Sequence, residues 1–193
     1  VQVAIVTLDG FNEIDSFVAN SIINRAKGIR AYITTPTPTV TSLNGVEATG
    51  QRPLEFTAEA DVVLIGSGSK TVEHVRDTDL MARLALDPER QWIGSQCSGA
   101  LVLARLGLVD GRPVCADATS RPFAEAAGLT VLDQAFHSEG RIATAGGCLA
   151  AQYLAAWTLL RTVGEGEVRR ALDYVAPVGE ENATVERALK AVG

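Results

Sequence analysis

A chain of 193 residues, 47% of them hydrophobic and 21% charged, has the balance of an ordinary globular protein and can bury a core without disulfide or metal staples. A formal net charge of -6, with no basic run to neutralise phosphates, argues against a nucleic-acid partner. No apolar stretch reaches the roughly 20 residues of a membrane span, so no membrane partner is expected.

The opening VQVAIVTL reads as a buried strand, being short, rich in β-branched residues and ended by Asp9-Gly10. It has no basic leader and no cleavage site, so a secretory signal is not expected. IDSFVANSIINRAKG has helical spacing, with Ile14, Phe17, Val18, Ile22 and Ile23 on one face and Gly28 beyond its end. Strand IRAYITT follows, then Pro36 and Pro38 break the pattern and Asn44-Gly45 predicts a hairpin between two short strands. DVVLIG is the next strand, GSGSK a loop, and Thr71 to Leu86 a helix. QWIGSQ is a further strand, closed by Cys97 and followed directly by SGALVLARLG as a helix. Pro113 to Ala116 is expected to be a short strand, Ser120 to Ala127 a helix, and TVLD and RIATAG strands. A long helix from about Gly147 to Val163 and two shorter ones complete the chain, and FHSEG reads as a turn.

Strands alternating with helices imply a mostly parallel sheet covered on both faces. No Pro/Gly/Ser-rich linker or repeat divides the chain, so residues 1–193 are read as one domain. In such sheets ligands sit beyond the carboxyl ends of the strands. Asp15, the Gly66 to Ser69 loop and Cys97 all follow strands and can converge there.

Three cysteines, Cys97, Cys115 and Cys148, are widely spaced without a CxxC pair, and only two histidines could complete a metal set. No metal and no cofactor is expected, and a reducing, cytoplasmic setting follows. Cys97 is the informative one. It falls between an apolar strand and a helix, with small Ser98, Gly99 and Ala100 behind it, which is the pattern of a nucleophile elbow. Amide groups at the helix start would favour the thiolate. A buried packing cysteine fits the same local pattern. GSGSK could stabilise developing negative charge through Gly66, Ser67 and Gly68, with the Ser98 N–H as a second donor. The same loop also reads as a plain strand-to-helix turn, and it lacks the glycines of a Walker A motif.

LDGFNEID after the first strand, DVVLIGSGS, IGSQCSGALVLARLGLVDGR and GRIATAGG together resemble the ThiJ/PfpI superfamily of class I glutamine amidotransferase-like proteins. CSGALVLARLGLVDG is most similar to the branch holding isonitrile hydratases and the amidotransferase-like domains of some transcription regulators. The resemblance implies a flavodoxin-like three-layer α/β/α sandwich, a homodimer, and the elbow cysteine as nucleophile. It implies a carboxylate against that sulfur, at the position of Asp15, with Glu13 on a different helical face. Two such groups would repel if both were ionised, so one should hold a shared proton and Asp15 is the candidate acid or base. Asp15 and Glu13 also fit, less well, as acidic residues that simply favour a helix N-terminus. Many relatives carry a histidine where this chain has Asp117 in PVCADATS, so a Cys-His-acid triad, and with it amidase or protease chemistry, is not expected. Cys115 could face the same pocket, though core packing suits it better; Cys148, at the start of the long helix, is also read as packing.

The expected function is cofactor-independent attack of Cys97 on a small electrophile, first isonitrile hydration to an N-substituted formamide, then glyoxalase-like hydration of a 2-oxoaldehyde. The alternative is a stress-response or redox-sensing protein that uses oxidation of Cys97.

Overall fold

The computed structural model describes residues 1–193. In chain order the elements are β1 (Gln2–Val6), α1 (Glu13–Ile23), β2 (Arg30–Thr35), β3 (Thr39–Thr41), β4 (Glu47–Thr49), β5 (Arg52–Pro53) and β6 (Val62–Ile65). Helices α2 (Thr71–His74) and α3 (Thr78–Ala82) lead to β7 (Trp92–Gln96), α4 (Ala100–Arg105) and α5 (Arg121–Ala126). The chain then forms β8 (Phe136–Glu139), β9 (Ile142–Ala145), α6 (Ala151–Thr162), α7 (Glu165–Val175) and α8 (Glu181–Val192).

Seven strands form one sheet in the order β5-β2-β1-β6-β7-β9-β8. Every pairing is parallel except β8 with β9. Side chains alternate across a strand, and here both faces are buried. Val3 and Ile5 of β1 and Val62 and Leu64 of β6 face α1, α6, α7 and α8. Ala4, Val6, Val63 and Ile65 from the same strands face the layer that contains α3 and α4. This is the flavodoxin-like α/β/α sandwich expected from the sequence. Trp157 of α6 is fully buried and packs edge to face on Trp92 at 5.5 Å between ring centroids. No helix is long and apolar enough to cross a membrane.

Several local expectations are corrected. Helix α1 stops at Ile23, five residues short of Gly28, and the chain leaves through a turn in which Gly28 has φ +76°. Ile14 and Phe17 are exposed on α1, because the face turned to the sheet is Ala19, Ile22 and Ile23 with the polar Asp15 and Ser16. The helix expected over Thr71 to Leu86 is split into α2 and α3, since the Asp77 carboxylate accepts from the Asp79 and Leu80 amides and starts a new helix. Pro113 to Ala116 and TVLD form only an isolated bridge between Val114 and Val131. The first four residues of FHSEG, Phe136 to Glu139, form strand β8, and only its last residue, Gly140 with φ +61°, lies in the expected turn, where the chain reverses into β9.

Candidate functional site

Register places the site. Ile65 of β6 lies beside Ser95 of β7, and Gln96 beside Ala145 of β9. Chain segments leaving the carboxyl ends of these strands therefore emerge together. At the end of β7 the backbone turns through Cys97 with φ +47°, the only non-glycine residue with positive φ. A side chain there is strained by about 1–3 kcal/mol and persists only when its surroundings fix it. A 3-10 turn over Cys97–Gly99 then feeds α4, which gives the elbow its form.

The elbow needs Gly99 because the end of β6 passes directly beneath it. A Cβ at Gly99 would lie 2.8 Å from the Ile65 carbonyl oxygen and 2.9 Å from that of Gly66. Both contacts are backbone and have little freedom to retreat. Gly99→Ala is therefore expected to cost about 2 kcal/mol or more of folding stability, read as a lower urea midpoint with unchanged m-value, and to lower Cys97 reactivity with it.

Cys97 Sγ, an Asp15 carboxylate oxygen and Cys148 Sγ all lie within 4.8 Å of one another. Asp15 arrives on the first turn of α1, whose start is set by Asn12: its Oδ1 accepts from the Ile14 amide and its Nδ2 donates to Cys148 Sγ at 3.1 Å. The Asn12 amide in turn donates to the Ser67 carbonyl oxygen at 2.9 Å, tying α1 to the loop after β6. Ser67 Oγ donates to Asp15 Oδ2, while Asp15 Oδ1 is buried with no partner. Cys148 arrives from β9 through Gly146 and a left-handed Gly147 (φ +87°). The Gly147 amide is near enough to the Cys97 thiol to act toward its ionised form, and the Gly147 carbonyl oxygen accepts from Gln96 Nε2 at 2.8 Å. Gln96 Nε2 also approaches Cys97 Sγ at 3.6 Å.

Burial decides the protonation states. Cys97 is 2% exposed and Asp15 3%. Loss of water raises the Asp15 carboxyl from 3.8 to about 6, against the Ser67 hydrogen bond and the nearby Cys148 and Cys97 thiols, which act the other way. Burial first, then the charges of Asp15 and Asp117, push the Cys97 thiol well above its ordinary value, outweighing the Gly147 amide. The expectation of a resting thiolate is thereby corrected. With both groups raised by burial, the pair shares a proton, and the Asp15 carboxylate lies close enough to take it from sulfur.

The other sequence candidates divide. Ser67 joins the cluster through Asp15. The Gly66 amide donates to the Val6 carbonyl oxygen at 2.9 Å, and the Gly68 amide to Ser98 Oγ at 3.2 Å. Ser98 Oγ also meets Thr71 Oγ1 at 2.8 Å, so this hydroxyl pins the loop to the elbow. Glu13 turns away to Ser42 Oγ and Asn44 Nδ2 of the β3–β4 connection, hydrogen bonds that hold its carboxyl below the usual range. Asp117 accepts from the Ser120 amide and lines a cleft of about 550 Å³ with Arg121, Gln134 and Gly147. Its charge reaches Asp15, Cys97 and Cys148. Cys115 is fully buried and outside the cluster, its thiol pushed up to about 11 by burial and its amide bonded to Thr144 Oγ1.

Neither histidine belongs to the cluster. His74 Nε2 meets the Asp9 carbonyl oxygen, and His137 stands on β8. Sequence reasoning missed Asn12, Gln96 and the Gly147 amide, and read Cys148 as packing. The signal for Asn12 was present, an asparagine one residue before an acidic helix start. For the other three the signal lay in which strand neighbours which. Two thiols and a carboxyl are a donor set suited to a soft cation such as Zn²⁺.

The DJ-1/PfpI family model matches residues 1–161. Solved structures of similar fold include Schizosaccharomyces pombe DJ-1, 20% identical over 92% of this chain and 100% of that one, with a TM-score of 0.78. A ThiJ/PfpI family protein from Pseudomonas syringae is 18% identical over 99% of this chain and 87% of its own, at 0.80. Oxidized Toxoplasma gondii DJ-1 is 17% identical over 91% and 97%, at 0.77. No curated protein sequence matches the chain.

Proposed function

The chain belongs to the DJ-1/PfpI family, and from that premise we propose that it is a cofactor-independent enzyme in which Cys97 attacks a small electrophilic carbon and Asp15 moves the protons. The observation that carries this reading is the Asp15 carboxylate within 4.8 Å of a cysteine sulfur held on a left-handed elbow. A buried carboxylate with pKa about 6 is a competent base for a thiol near pH 7, and equally able to return the proton.

Isonitrile hydration suits this pair best. Asp15 takes the thiol proton as sulfur bonds to the terminal carbon, then delivers it to that carbon, leaving a thioimidate. Water adds to the same carbon and one of its protons passes through Asp15 to nitrogen; the C–S bond then breaks as the C=O bond forms, and the hydroxyl proton passes to sulfur. The product is an N-substituted formamide and the thiol is restored. The Gly147 and Gln96 N–H groups beside the sulfur support this reading, since they can stabilise the departing thiolate. The Gly66, Gly68 and Ser69 amides are already engaged by the Val6 carbonyl, Ser98 Oγ and the Gly10 carbonyl, so the Ser67 and Ser98 N–H groups are the remaining proposed donors to a substrate anion. Glyoxalase-like hydration of a 2-oxoaldehyde is the second candidate reaction. A homodimer is also proposed, because Ile14 and Phe17 on α1 and Leu149 at the start of α6 leave apolar surface exposed next to the site.

Incubation with a panel of aliphatic and aromatic isonitriles, methylglyoxal and simple amides, with products followed by mass spectrometry, tests the assignment. Formamide from isonitriles alone is expected; release of ammonia from amides as the main reaction would overturn it. With Asp15 as base, kcat/KM should rise with pH through about 6 and level off above, because only the ionised carboxylate can take the thiol proton. A profile flat between pH 5 and 7 would remove Asp15 from that role.

A second reading is oxidation sensing at Cys97. The Asp15 carboxyl that serves as proton carrier could also hydrogen-bond an oxygen added to the sulfur, and one fold neighbour was solved oxidized.

A further inference from the structure

Cys148 is left without a task by the hydration chemistry, yet its sulfur shares the cluster with Cys97. It is half-buried where Cys97 is almost wholly buried, and it lines an open cleft of about 450 Å³ with Gly147, Leu149 and Tyr153. Burial and the Asp15 charge push the Cys148 thiol up, but a packing thiol needs no donor, and Asn12 Nδ2 is aimed at this sulfur from 3.1 Å, where it opposes that shift. The unpartnered, buried Asp15 Oδ1 belongs to the same cluster and offers a proton acceptor. Both thiols are free, and Cys115 lies outside the cluster.

The geometry points to Cys97 and Cys148 as a working dithiol pair that reduces a small hydroperoxide, with Cys148 as the resolving thiol. The inference rests on the reading of Cys97 as a nucleophile. Cys97 sulfur attacks the terminal oxygen of R–O–OH and the O–O bond breaks. The Cys97 proton passes through Asp15 to the departing alkoxide, which leaves as alcohol, and Cys97 becomes a sulfenic acid. Cys148 sulfur then attacks Cys97 sulfur and the S–O bond breaks. Hydroxide leaves with the Cys148 proton as water, and an S–S bond closes. Two thiols lose one electron each while one hydroperoxide is reduced to alcohol and water, and a small dithiol resets the pair by exchange. The two sulfurs start within 4.8 Å of each other, so closure is expected to outrun a second oxidation at Cys97.

The test treats the full-length protein with stoichiometric hydrogen peroxide or cumene hydroperoxide and follows it by intact and peptide mass spectrometry. Wild type is expected to lose two hydrogens and yield one crosslinked peptide containing Cys97 and Cys148, reversed by dithiothreitol. Cys115→Ser should behave as wild type, whereas Cys148→Ser should instead gain oxygen on Cys97. Cys148→Ala, which fits the same space without a hydroxyl, should repeat the Cys148→Ser result. Sulfinic acid on Cys97 in wild type, with Cys148 still a thiol, would overturn the pairing and leave the nucleophile standing. Unmodified Cys97 in wild type and in Cys148→Ser alike would overturn the nucleophile and the pairing with it. A crosslink through Cys115 would also overturn the pairing.

Discussion

Cys97→Ser is expected to lower kcat/KM for the best electrophile in the panel by at least about 10³-fold, measured at saturating and limiting substrate. A serine hydroxyl ionises several units above a thiol, so a carboxylate with pKa about 6 cannot generate the alkoxide in useful amount. Serine differs by one atom and tolerates the same backbone, so folding stability should move by less than about 1 kcal/mol. A thermal melt alongside the kinetics separates lost chemistry from lost structure. Turnover equal to wild type would end the enzyme reading.

Asp15→Asn should act in opposite directions on activity and stability. Activity falls by about 10² to 10⁴-fold, the usual contribution of a positioned proton carrier. Stability at neutral pH rises, because a carboxyl whose folded-state pKa is raised is penalised when ionised. The sign follows from linkage: between 3.8 and about 6 the folded state binds more protons than the unfolded one, so the contribution of this group is present at low pH and lost as pH rises through about 6. Asparagine removes that loss and can keep the hydrogen bond to Ser67. The gain should be on the order of 2 kcal/mol at pH 7, or roughly 5 °C in Tm, and should vanish near pH 4. A variant less stable than wild type at pH 7 would mean that Asp15 is held by its partners more strongly than burial opposes it. The trade resembles other sites in which reactivity is maintained against stability.

The buried strands were legible because their chemistry is local. VQVAIV, DVVLI and WIGSQ are short apolar runs with no other use than a sheet covered on both faces, and all three became central parallel strands. Cys97 was legible for the same reason: strand residues run directly into Ser98, Gly99 and Ala100, and the Ile65 carbonyl beneath Gly99 shows why nothing larger fits. Asp15 required the family resemblance, since an acidic residue in a first helical turn is ordinary. Cys148 was misread because its value depends on β9 being inserted beside β7, a neighbour relation that no local pattern carries. His137 was misplaced because Phe136 to Glu139 alternates too weakly to separate an edge strand from a turn. The exposed Ile14 and Phe17 were put on the inner face because periodicity fixes the width of an apolar stripe better than its rotation, and here the inward stripe includes a carboxyl group.

The order in which the strands are laid down has a consequence for the newborn chain. Asp15, Ser67 and Cys97 follow β1, β6 and β7, but the Gly147 amide and Cys148 come only after β9, whose place is beside β7 and inside the β8 edge. Until the segment after β9 has been made and docked, the elbow thiol has neither its amide nor its sulfur neighbour. A product truncated before Gly147 therefore carries Cys97 as an ordinary thiol, without the neighbours that set its chemistry in the finished fold.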